Sequence, residues 1–212
     1  MQWTLVIPLK ALARAKSRLS DTAADGLRPG LALAFAQDTV AAALACPAVR
    51  DVAVVTDDAL AGRELSALGA RIIPDEPLGG LNTALRHAAA VVRSTRPESA
   101  VAALNADLPA LRPLELARVL DAAAEFPRAF LPDAAEIGTT LLAAAPGREL
   151  LPAFGTDSRA RHRESGAVEL ALADVDSVRQ DVDTGADLRA ALALGVGPRT
   201  AAVSAGLLIP GS

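Results

Sequence analysis

Short runs of β-branched and other apolar residues alternate with longer alanine- and leucine-rich segments through the first 125 residues. The short runs are typical of strands and predict strands at residues 3–8, 51–56, 70–74 and 99–105. The longer segments place apolar residues at helical spacing and predict helices at residues 29–45, 59–68, 81–94 and 113–123. Because strands that alternate with helices form βαβ units, we expect an α/β fold with a mixed, mainly parallel sheet flanked by helices.

The pattern changes after residue 125, where three short strand-like pieces follow: RAFLP, GTTLLAA and AVELALA. A polar segment, residues 155–166, lies among them. A last helix is predicted at residues 187–194, with Thr184 as a candidate N-cap. Since no linker separates two domains, we expect one domain at residues 1–195 and a C-terminal tail at residues 196–212.

The composition argues against several classes of protein. The formal net charge is −4 and no basic stripe with interleaved aromatic residues is present, so we expect no binding to nucleic acid. The single cysteine, Cys46, cannot form an internal disulfide, and no cysteine and histidine cluster predicts a zinc site. Neither a secretory leader nor an apolar run of about 20 residues is visible. We therefore expect a cytoplasmic protein without a membrane partner.

Ligands of open α/β sheets bind outside the carboxyl ends of the strands, so the polar residues that follow each strand are the first candidates for a site. The first strand is followed by Lys10, Arg14, Lys16 and Arg18, which include the only two lysines of the chain. Lysine and arginine both bind phosphate, and four cations in nine residues fit a triphosphate. A solvated basic loop is the alternative.

The third predicted strand is followed by PDEPLGGLNTAL. Gly79 and Gly80 would let the backbone approach a flat ligand, and Asn82 has both a donor and an acceptor for a base. A turn that starts a helix explains the same residues without a ligand.

Carboxylates follow the fourth predicted strand and recur later in the chain. Asp107 stands beside a turn proline, where it could hold a Mg²⁺ ion that bridges phosphates. Asp181 and Asp183 alternate in QDVDTGADL, so they share a side if that segment is extended, and one of them could be a second ligand. Asp187 fits the ordinary role of a negative charge at a helix N-terminus.

The polar segment FGTDSRARHRESGAVEL combines arginines, hydroxyl residues and glycines, which suits a small anionic substrate. We interpret its histidine, His162, as a hydrogen-bonding residue rather than a catalytic base. The sequence has no evident Ser/His/Asp or Cys/His nucleophilic set, and it lacks Walker-type and dinucleotide-binding glycine signatures.

Six stretches of this chain, taken together, are similar to one family: IPLKALARAKSRL, DEPLGGLNTAL, NADLP, GTTLL, FGTDSRARHRESGA and DVDTGADL. They resemble the CofC/FbiD guanylyltransferases of coenzyme F420 biosynthesis. The resemblance implies a single-domain nucleotidyltransferase with a Rossmann-like, glycosyltransferase-A-like fold. Such enzymes join GTP to a phosphorylated three-carbon acid and release pyrophosphate. The acid is phosphoenolpyruvate in bacterial members, 2-phospho-L-lactate in archaeal members and 3-phosphoglycerate in some relatives.

The resemblance also implies roles for residues of this chain. The acid would contact Thr140, or Thr139 beside it, together with Gly155 and Ser158. Lys10, Lys16 and Arg18 would be catalytic, through stabilisation of the departing pyrophosphate, and Arg14, Gly80 and Asn82 would bind the nucleotide. Mg²⁺ would be held by Asp107 and Asp183, with Asp181 as the alternative second ligand. The implied partners are GTP and phosphoenolpyruvate, and the labile product could be handed to the next enzyme of the pathway.

One departure from the family lies before the threonine pair. Related sequences often have a glycine-rich DGxGxGTT, whereas this chain has DAAEIGTT with Glu136 in place of a glycine. We therefore expect altered contacts in this loop.

Rival functions differ in their motifs. A molybdopterin guanylyltransferase would begin with a glycine-rich LAGGxSxRMG-like turn, and a glycosyltransferase would have a DxD metal motif where this chain has NAD. A non-catalytic nucleotide-binding module would lack the cations or the metal ligands, and both sets are present in the sequence.

Overall fold

The computed structural model describes residues 1–12, 28–75 and 79–205. Its centre is a seven-stranded sheet in the order β3-β2-β1-β4-β6-β5-β7. The strands are β1 (Trp3–Pro8), β2 (Val49–Val55), β3 (Arg71–Ile73), β4 (Ala100–Leu104), β5 (Arg128–Pro132), β6 (Thr139–Ala144) and β7 (Val168–Glu169).

The sheet is mainly parallel, as the alternation of strands and helices predicts. Strands β3, β2, β1 and β4 pair in parallel, and so do β5 and β7. Strand β6 lies between β4 and β5 and is antiparallel to both. Its amino end therefore lies at the same edge of the sheet as the carboxyl ends of its two neighbours.

Eight helices are described: α1 (Arg28–Leu44), α2 (Ala59–Ala67), α3 (Leu81–Thr95), α4 (Pro113–Ala123), α5 (Ser158–Glu164), α6 (Asp176–Arg179), α7 (Gly185–Leu194) and α8 (Pro198–Ala205). Buried residues of α1, α2 and α4 form one apolar cluster with one face of the sheet, while α3 packs on the other face. The sheet is covered on both sides, which explains why its strands are continuous apolar runs.

The predicted α/β fold class is confirmed. The four predicted strands and five predicted helices all form, with ends that differ by one or two residues at most positions. Thr184 is the N-cap of α7, and its hydroxyl accepts from the backbone N–H of Asp187 in a capping box. Helices α5, α6 and α8 were not predicted, because they have only 7, 4 and 8 residues and show no long apolar periodicity.

The residues that were predicted to form a C-terminal tail include α8, which packs on α1. Asp38 of α1 is buried, and its carboxylate accepts from the backbone N–H groups of Arg199 (3.2 Å) and Thr200 (2.7 Å) at the start of α8. A Cβ on Gly197 would lie only 2.4 Å from the Cγ of Asp38, so this approach requires glycine. The domain boundary at residue 195 stays a prediction.

Within the described part of the chain, no helix combines the length and apolar character that crossing a membrane requires.

Candidate functional site

A cleft lies at the edge of the sheet where β1 and β4 end and β6 begins. The backbone N–H of Asn105, just after β4, donates to the carbonyl of Thr140 in β6 at 2.9 Å. The cleft has two halves with volumes of about 380 Å³ and 420 Å³. Both halves are lined by Leu81, Asn105, Asp181 and Asp183, so they are continuous. We call them the Lys10 half and the Thr139 half after a residue found in only one of them.

The Lys10 half begins at the segment that follows β1. Lys10 is exposed, and two hydrogen bonds fix the backbone around it. The N–H of Leu9 donates to the carbonyl of Val55 at 2.9 Å, and the N–H of Leu12 donates to Oδ2 of Asp58 at 3.0 Å. Backbone hydrogen bonds from Ala61 and Leu12 are the main reason that the pKa of Asp58 is lowered. The cation therefore stands on a fixed segment at the mouth of the cleft.

The other predicted cations, Arg14, Lys16 and Arg18, lie outside the described residues. Their proposed contacts with phosphate stay predictions.

Three carboxylate residues from two segments line the Lys10 half: Asp107, Asp181 and Asp183. The backbone joins the two segments, because the N–H of Val182 donates to the carbonyl of Asp107 at 3.1 Å. The amide of Asn105 is 3.4 Å from Oδ2 of Asp181. In residues 1–12, 28–75 and 79–205, no group of three acidic, histidine or cysteine side chains is a metal site by itself. A cation here would therefore take further oxygen ligands from a substrate or water, as Mg²⁺ does.

The Thr139 half is lined by residues of the β5–β6 loop and of the segment before α5, including Gly155 and Ser158. Four of its lining residues are acidic, and no lysine or arginine is among the described residues that line it. An anionic ligand would be repelled by these carboxylates unless a cation neutralised them. Hydroxyls, backbone N–H groups and the side-chain amide of Asn105 are the remaining donors.

Gly155 occupies a position that only glycine tolerates. Its φ is +114°, and a Cβ would lie 3.1 Å from Nη2 of Arg161. That guanidinium donates to the carbonyl of Phe154 at 3.0 Å. Arg161 thus supports the backbone of this segment, and the bare backbone of Gly155 lines the cleft.

The resemblance favoured Thr140 over Thr139 as the contact of the acid, but Thr139 is the one that lines the cleft. The pairing of β5 with β6 is irregular here: Leu131 pairs with Leu141 and Pro132 pairs with Thr139, which leaves Thr140 as an extra residue. Such a bulge breaks the alternation of faces along a strand. The Thr140 hydroxyl is buried and has no hydrogen-bond partner among the described residues. A contact between Thr140 and the acid stays a prediction.

His162 of α5 is fully buried behind Thr139. Its Nδ1 is 2.9 Å from the Thr139 hydroxyl, and its Nε2 accepts from the backbone N–H of Ala153 at 2.9 Å. Phe154 packs against the ring edge to face, with centroids 4.9 Å apart. Burial, followed by the charges of Arg128 and Arg161, lowers the pKa of His162 to about 4. The imidazole is therefore neutral near pH 7, in agreement with its interpretation as a hydrogen-bonding residue.

Asn82 and Gly80 lie at the start of α3, beside the cleft. Gly80 is the N-cap and has a φ of +81°. Both polar groups of Asn82 bind the backbone of Phe154: Nδ2 donates to its carbonyl at 3.0 Å, and Oδ1 accepts from its N–H at 2.8 Å. These two bonds join α3 to the segment before α5, and the contact of Asn82 with a base stays a prediction. One amide hydrogen and one lone pair of Asn82 remain for a ligand.

Glu136, the departure from the glycine-rich family loop, has a left-handed backbone with a φ of +60°. This conformation costs little for glycine and more for glutamate. The carboxylate is 3.3 Å from both Arg159 and Arg179, and Arg159 also donates to the Glu136 carbonyl at 2.7 Å. The altered contacts that we expected are therefore ion pairs that hold the loop.

The sequence matches the family described as "Guanylyl transferase CofC like" over residues 3–201. A protein of Streptomyces avermitilis named phosphoenolpyruvate guanylyltransferase is 86% identical over 211 residues, which cover 100% of this chain and 98% of the relative. The chain belongs to the CofC-like guanylyl transferase family.

Solved structures of more distant proteins share the fold. A nucleotidyl transferase from Methanothermobacter thermautotroptrophicus has a TM-score of 0.62 and 22% identity, with 91% of this chain and 97% of that one covered. Rv0371C of Mycobacterium tuberculosis H37Rv, in complex with manganese, has a TM-score of 0.54 and 22% identity over 91% of this chain and 99% of that one. The nucleotidyltransferase architecture expected for the family is thus confirmed.

Asn105 and Asp133 are among the cleft residues of this guanylyl transferase family member that were not singled out from the sequence. Asn105 lines both halves, and Asp133 accepts from the N–H groups of Ile137 (3.0 Å) and Gly138 (2.9 Å). Asn105 could have been found, because it follows a predicted strand as Asp107 does. Asp133 opens the DAAEIGTT stretch, but its bonds to the loop require the folded structure.

Proposed function

We propose that this protein condenses GTP with phosphoenolpyruvate to give enolpyruvyl-diphospho-guanosine and pyrophosphate, as a step of coenzyme F420 biosynthesis. The observation that carries the proposal is the continuous cleft, whose two halves share Asp181 and Asp183. Such a cleft suits two anionic ligands that meet end to end. The 86% identical relative named phosphoenolpyruvate guanylyltransferase supports the choice of acid.

In the proposed reaction a phosphate oxygen of phosphoenolpyruvate attacks the α-phosphorus of GTP in line. The new bond joins that oxygen to the α-phosphorus, and the bond from the α-phosphorus to the oxygen bridging to the β-phosphorus breaks. Pyrophosphate leaves with that bridging oxygen. The attacking phosphate is already ionised near neutral pH, so no general base is needed. Catalysis then consists of positioning and electrostatic stabilisation.

Different residues would provide the positioning and the electrostatic stabilisation. Lys10, with Arg14, Lys16 and Arg18, would neutralise the pyrophosphate as negative charge builds up on it. Gly155 and Ser158 line the Thr139 half, where the acid would bind. Thr139 and Leu81, the first residue of α3, line the same cleft, and with the neighbouring Gly80 they would orient the two substrates.

A divalent cation fits the same cleft, and we propose Mg²⁺ held by Asp107 and one of Asp181 and Asp183. The support is electrostatic: the Thr139 half has four acidic lining residues and no basic one among those described. When bound, the ion supplies positive charge to the phosphate oxygens of both substrates. Without such charge, a trianionic acid would be repelled from this half.

The identity of the acid is the most detailed part of the proposal, because phosphoenolpyruvate and 2-phospholactate differ only by the two hydrogens that turn a planar C=CH2 group into a tetrahedral CH–CH3 group. The direct test is pyrophosphate release with GTP and Mg²⁺, measured side by side with phosphoenolpyruvate, 2-phospho-L-lactate and 3-phosphoglycerate. We expect release with phosphoenolpyruvate. Strong release with another acid alone would keep the mechanism and change the product. No release with any acid would refute the proposed function.

The enolpyruvyl product is labile, which is the reason to propose its handover to the next enzyme of the pathway. Mixing this protein with that enzyme should then protect the product from hydrolysis better than adding the enzyme after the product has formed.

A further inference from the structure

His162 is the one titratable side chain of α5 that is fully buried, and it connects the backbone before α5 to the cleft. On one side its Nε2 meets the N–H of Ala153, and on the other its Nδ1 meets the hydroxyl of Thr139, each at 2.9 Å. The proposed reaction does not use this histidine. Its place between a backbone donor and a cleft residue nevertheless fixes the direction of both hydrogen bonds.

The direction follows from the groups themselves. A backbone N–H can only donate, so Nε2 must accept from Ala153 and carries no hydrogen. A neutral imidazole has one hydrogen, which must then be on Nδ1. The Nδ1–H therefore donates, and the hydroxyl oxygen of Thr139 accepts. An imidazolium would place an N–H on Nε2 against the N–H of Ala153, so the neutral ring is the form that fits.

Thr139 is left with its own hydroxyl hydrogen. Among the described residues its hydroxyl has no hydrogen-bond partner besides His162, although Thr139 is only 4% exposed. A buried hydrogen-bond donor without an acceptor costs free energy. The acceptor for the Thr139 hydroxyl must therefore come from a molecule that occupies the cleft. Thr139 lines the half that has no described lysine or arginine, where a hydroxyl is among the few donors available.

We propose that His162 is a positioning residue that holds the Thr139 hydroxyl as a hydrogen-bond donor to a carboxylate or phosphate oxygen of the acid substrate. The identity of that acid rests on the proposed function; the hydrogen-bond direction does not. Thr139 contacts the substrate, and His162 acts only through Thr139.

The first test replaces Thr139. The Thr139→Val change removes the hydroxyl at nearly constant volume, and we expect the KM for the acid to rise roughly 10-fold or more, as for a lost hydrogen bond to a charged group. The KM for GTP should stay within about twofold. Thr139→Ser keeps the hydroxyl and should recover most of the loss. An unchanged KM for the acid in Thr139→Val would overturn the proposal.

The second test asks whether His162 acts through Thr139. His162→Leu removes the donor, whereas His162→Asn can place an amide N–H near the position of Nδ1. We expect the KM for the acid to rise roughly 10-fold in His162→Leu and less in His162→Asn. In a Thr139→Val background, His162→Leu should raise this KM no further, because its partner is already gone. Equal increases in both backgrounds would show a merely structural role and overturn the proposal.

Folding and function are separated by two controls. The melting temperature of each variant identifies loss of structure, and His162→Asn provides a polar replacement if His162→Leu does not fold. All KM values are measured with the acid that gives pyrophosphate release in the unchanged protein. If no acid does so, the proposed function fails. If release is normal and the Thr139 variants do not affect the KM for the acid, only the positioning role fails.

Discussion

Asn82 joins α3 to the segment before α5 through two hydrogen bonds to the backbone of Phe154. The same carbonyl of Phe154 accepts from Arg161, and the neighbouring Gly155 lines the cleft. Asn82 thus ties the start of α3, where Leu81 lines both halves of the cleft, to the backbone that lines the Thr139 half.

We expect Asn82→Ala to raise the KM for the acid more than the KM for GTP, because the freed segment carries Gly155. Loss of the two bonds should lower the free energy of unfolding by about 1–2 kcal/mol. Steady-state kinetics and chemical denaturation measure the two effects. Asn82→Asp is the matched control, since it keeps the acceptor for the N–H of Phe154 and loses only the donor. A rise in the KM for GTP alone would instead favour direct contact with the base.

Acid should destabilise the protein through His162. In the unfolded chain this histidine binds a proton below about pH 6.5, whereas in the folded protein the pKa is about 4. Between these values the unfolded state binds more protons, so stability rises with pH and is lost as the pH falls from 6.5 to 4. The loss corresponds to about 3 kcal/mol. Melting temperatures at pH 7, 5.5 and 4.5 measure it.

The control for this acid effect is His162→Asn, which cannot titrate in that range. Its melting temperature should depend less steeply on pH than that of the unchanged protein. The same dependence in both proteins would contradict the assignment to His162.

The two lysines can be tested separately. We expect Lys16→Ala and Lys10→Ala to lower kcat by 10-fold or more, because each removes a positive charge that would stabilise the departing pyrophosphate. The melting temperature of Lys10→Ala should change little, since Lys10 is exposed. Arg71→Ala is a matched control that removes an exposed cation at the amino end of β3, at the opposite edge of the sheet from the cleft. Turnover unaffected by Lys16→Ala would refute its role in catalysis.

At the scale of single residues, the sequence predicted those site residues whose position follows from the end of a strand. Lys10 and Asp107 lie in the cleft for that reason. It could not choose Thr139 over Thr140 as the cleft-lining residue, because the bulge depends on the pairing of β6 with a distant strand. The contacts of Asn82 with the backbone of Phe154 could not be predicted from the sequence either, since they join residues 72 positions apart.

At the scale of helices and strands, α8 shows how one side chain can hold an element in place. The carboxylate of Asp38 binds the first free N–H groups of α8 from a neighbouring helix, as an N-cap side chain would from within the chain. Negative charge at a helix N-terminus is favourable, and burial of Asp38 strengthens the effect. The helix therefore depends on α1 for its start.

We expect Asp38→Ala to lower the free energy of unfolding by about 2 kcal/mol, because the N–H groups of Arg199 and Thr200 lose their acceptor. Arg199→Ala should cost less than about 0.5 kcal/mol, since its guanidinium is partly exposed and 3.8 Å from Asp38. Urea unfolding of both variants measures the difference. Equal effects would show that the ion pair, and not the capping of α8, holds the helix.

Long periodic helices and continuous apolar strands were predictable because local sequence decides them. The short helices α5, α6 and α8 were not, because a helix of two turns or less is stabilised mainly by what it packs against. The place of β6 between β4 and β5 could not be predicted either, because it depends on which strands pair in the folded sheet. It is this insertion that brings Thr139 to the cleft.

At the scale of the whole molecule, a chain with a net charge of −4 is proposed to bind two polyanions in a cleft lined by carboxylates. Because the net charge of the protein repels anions, positive charge must be concentrated at the cleft itself. In the proposed site, the two lysines and Mg²⁺ would supply that charge. Ligand binding and metal binding should accordingly be inseparable.

We expect GTP to raise the melting temperature only when Mg²⁺ is present. At a free GTP concentration 100 times its Kd, binding stabilises the folded state by about 2.7 kcal/mol. The measurement is thermal unfolding with GTP plus Mg²⁺, with GTP plus a chelator and with Mg²⁺ alone. A shift of equal size in the presence of the chelator would contradict the proposed metal dependence.

Trp3 begins β1, an interior strand of the sheet, and is fully buried. It lies at the opposite end of that strand from Pro8, which lines the cleft. The sequence contains no tyrosine and no other tryptophan. Intrinsic fluorescence of this protein therefore comes from one indole in an apolar environment, without a background from other emitters. Its emission reports whether the core around β1 is intact, and we expect binding at the far end of the strand to leave that environment unchanged. The chain thus has a built-in optical probe that separates unfolding from ligand binding without any label.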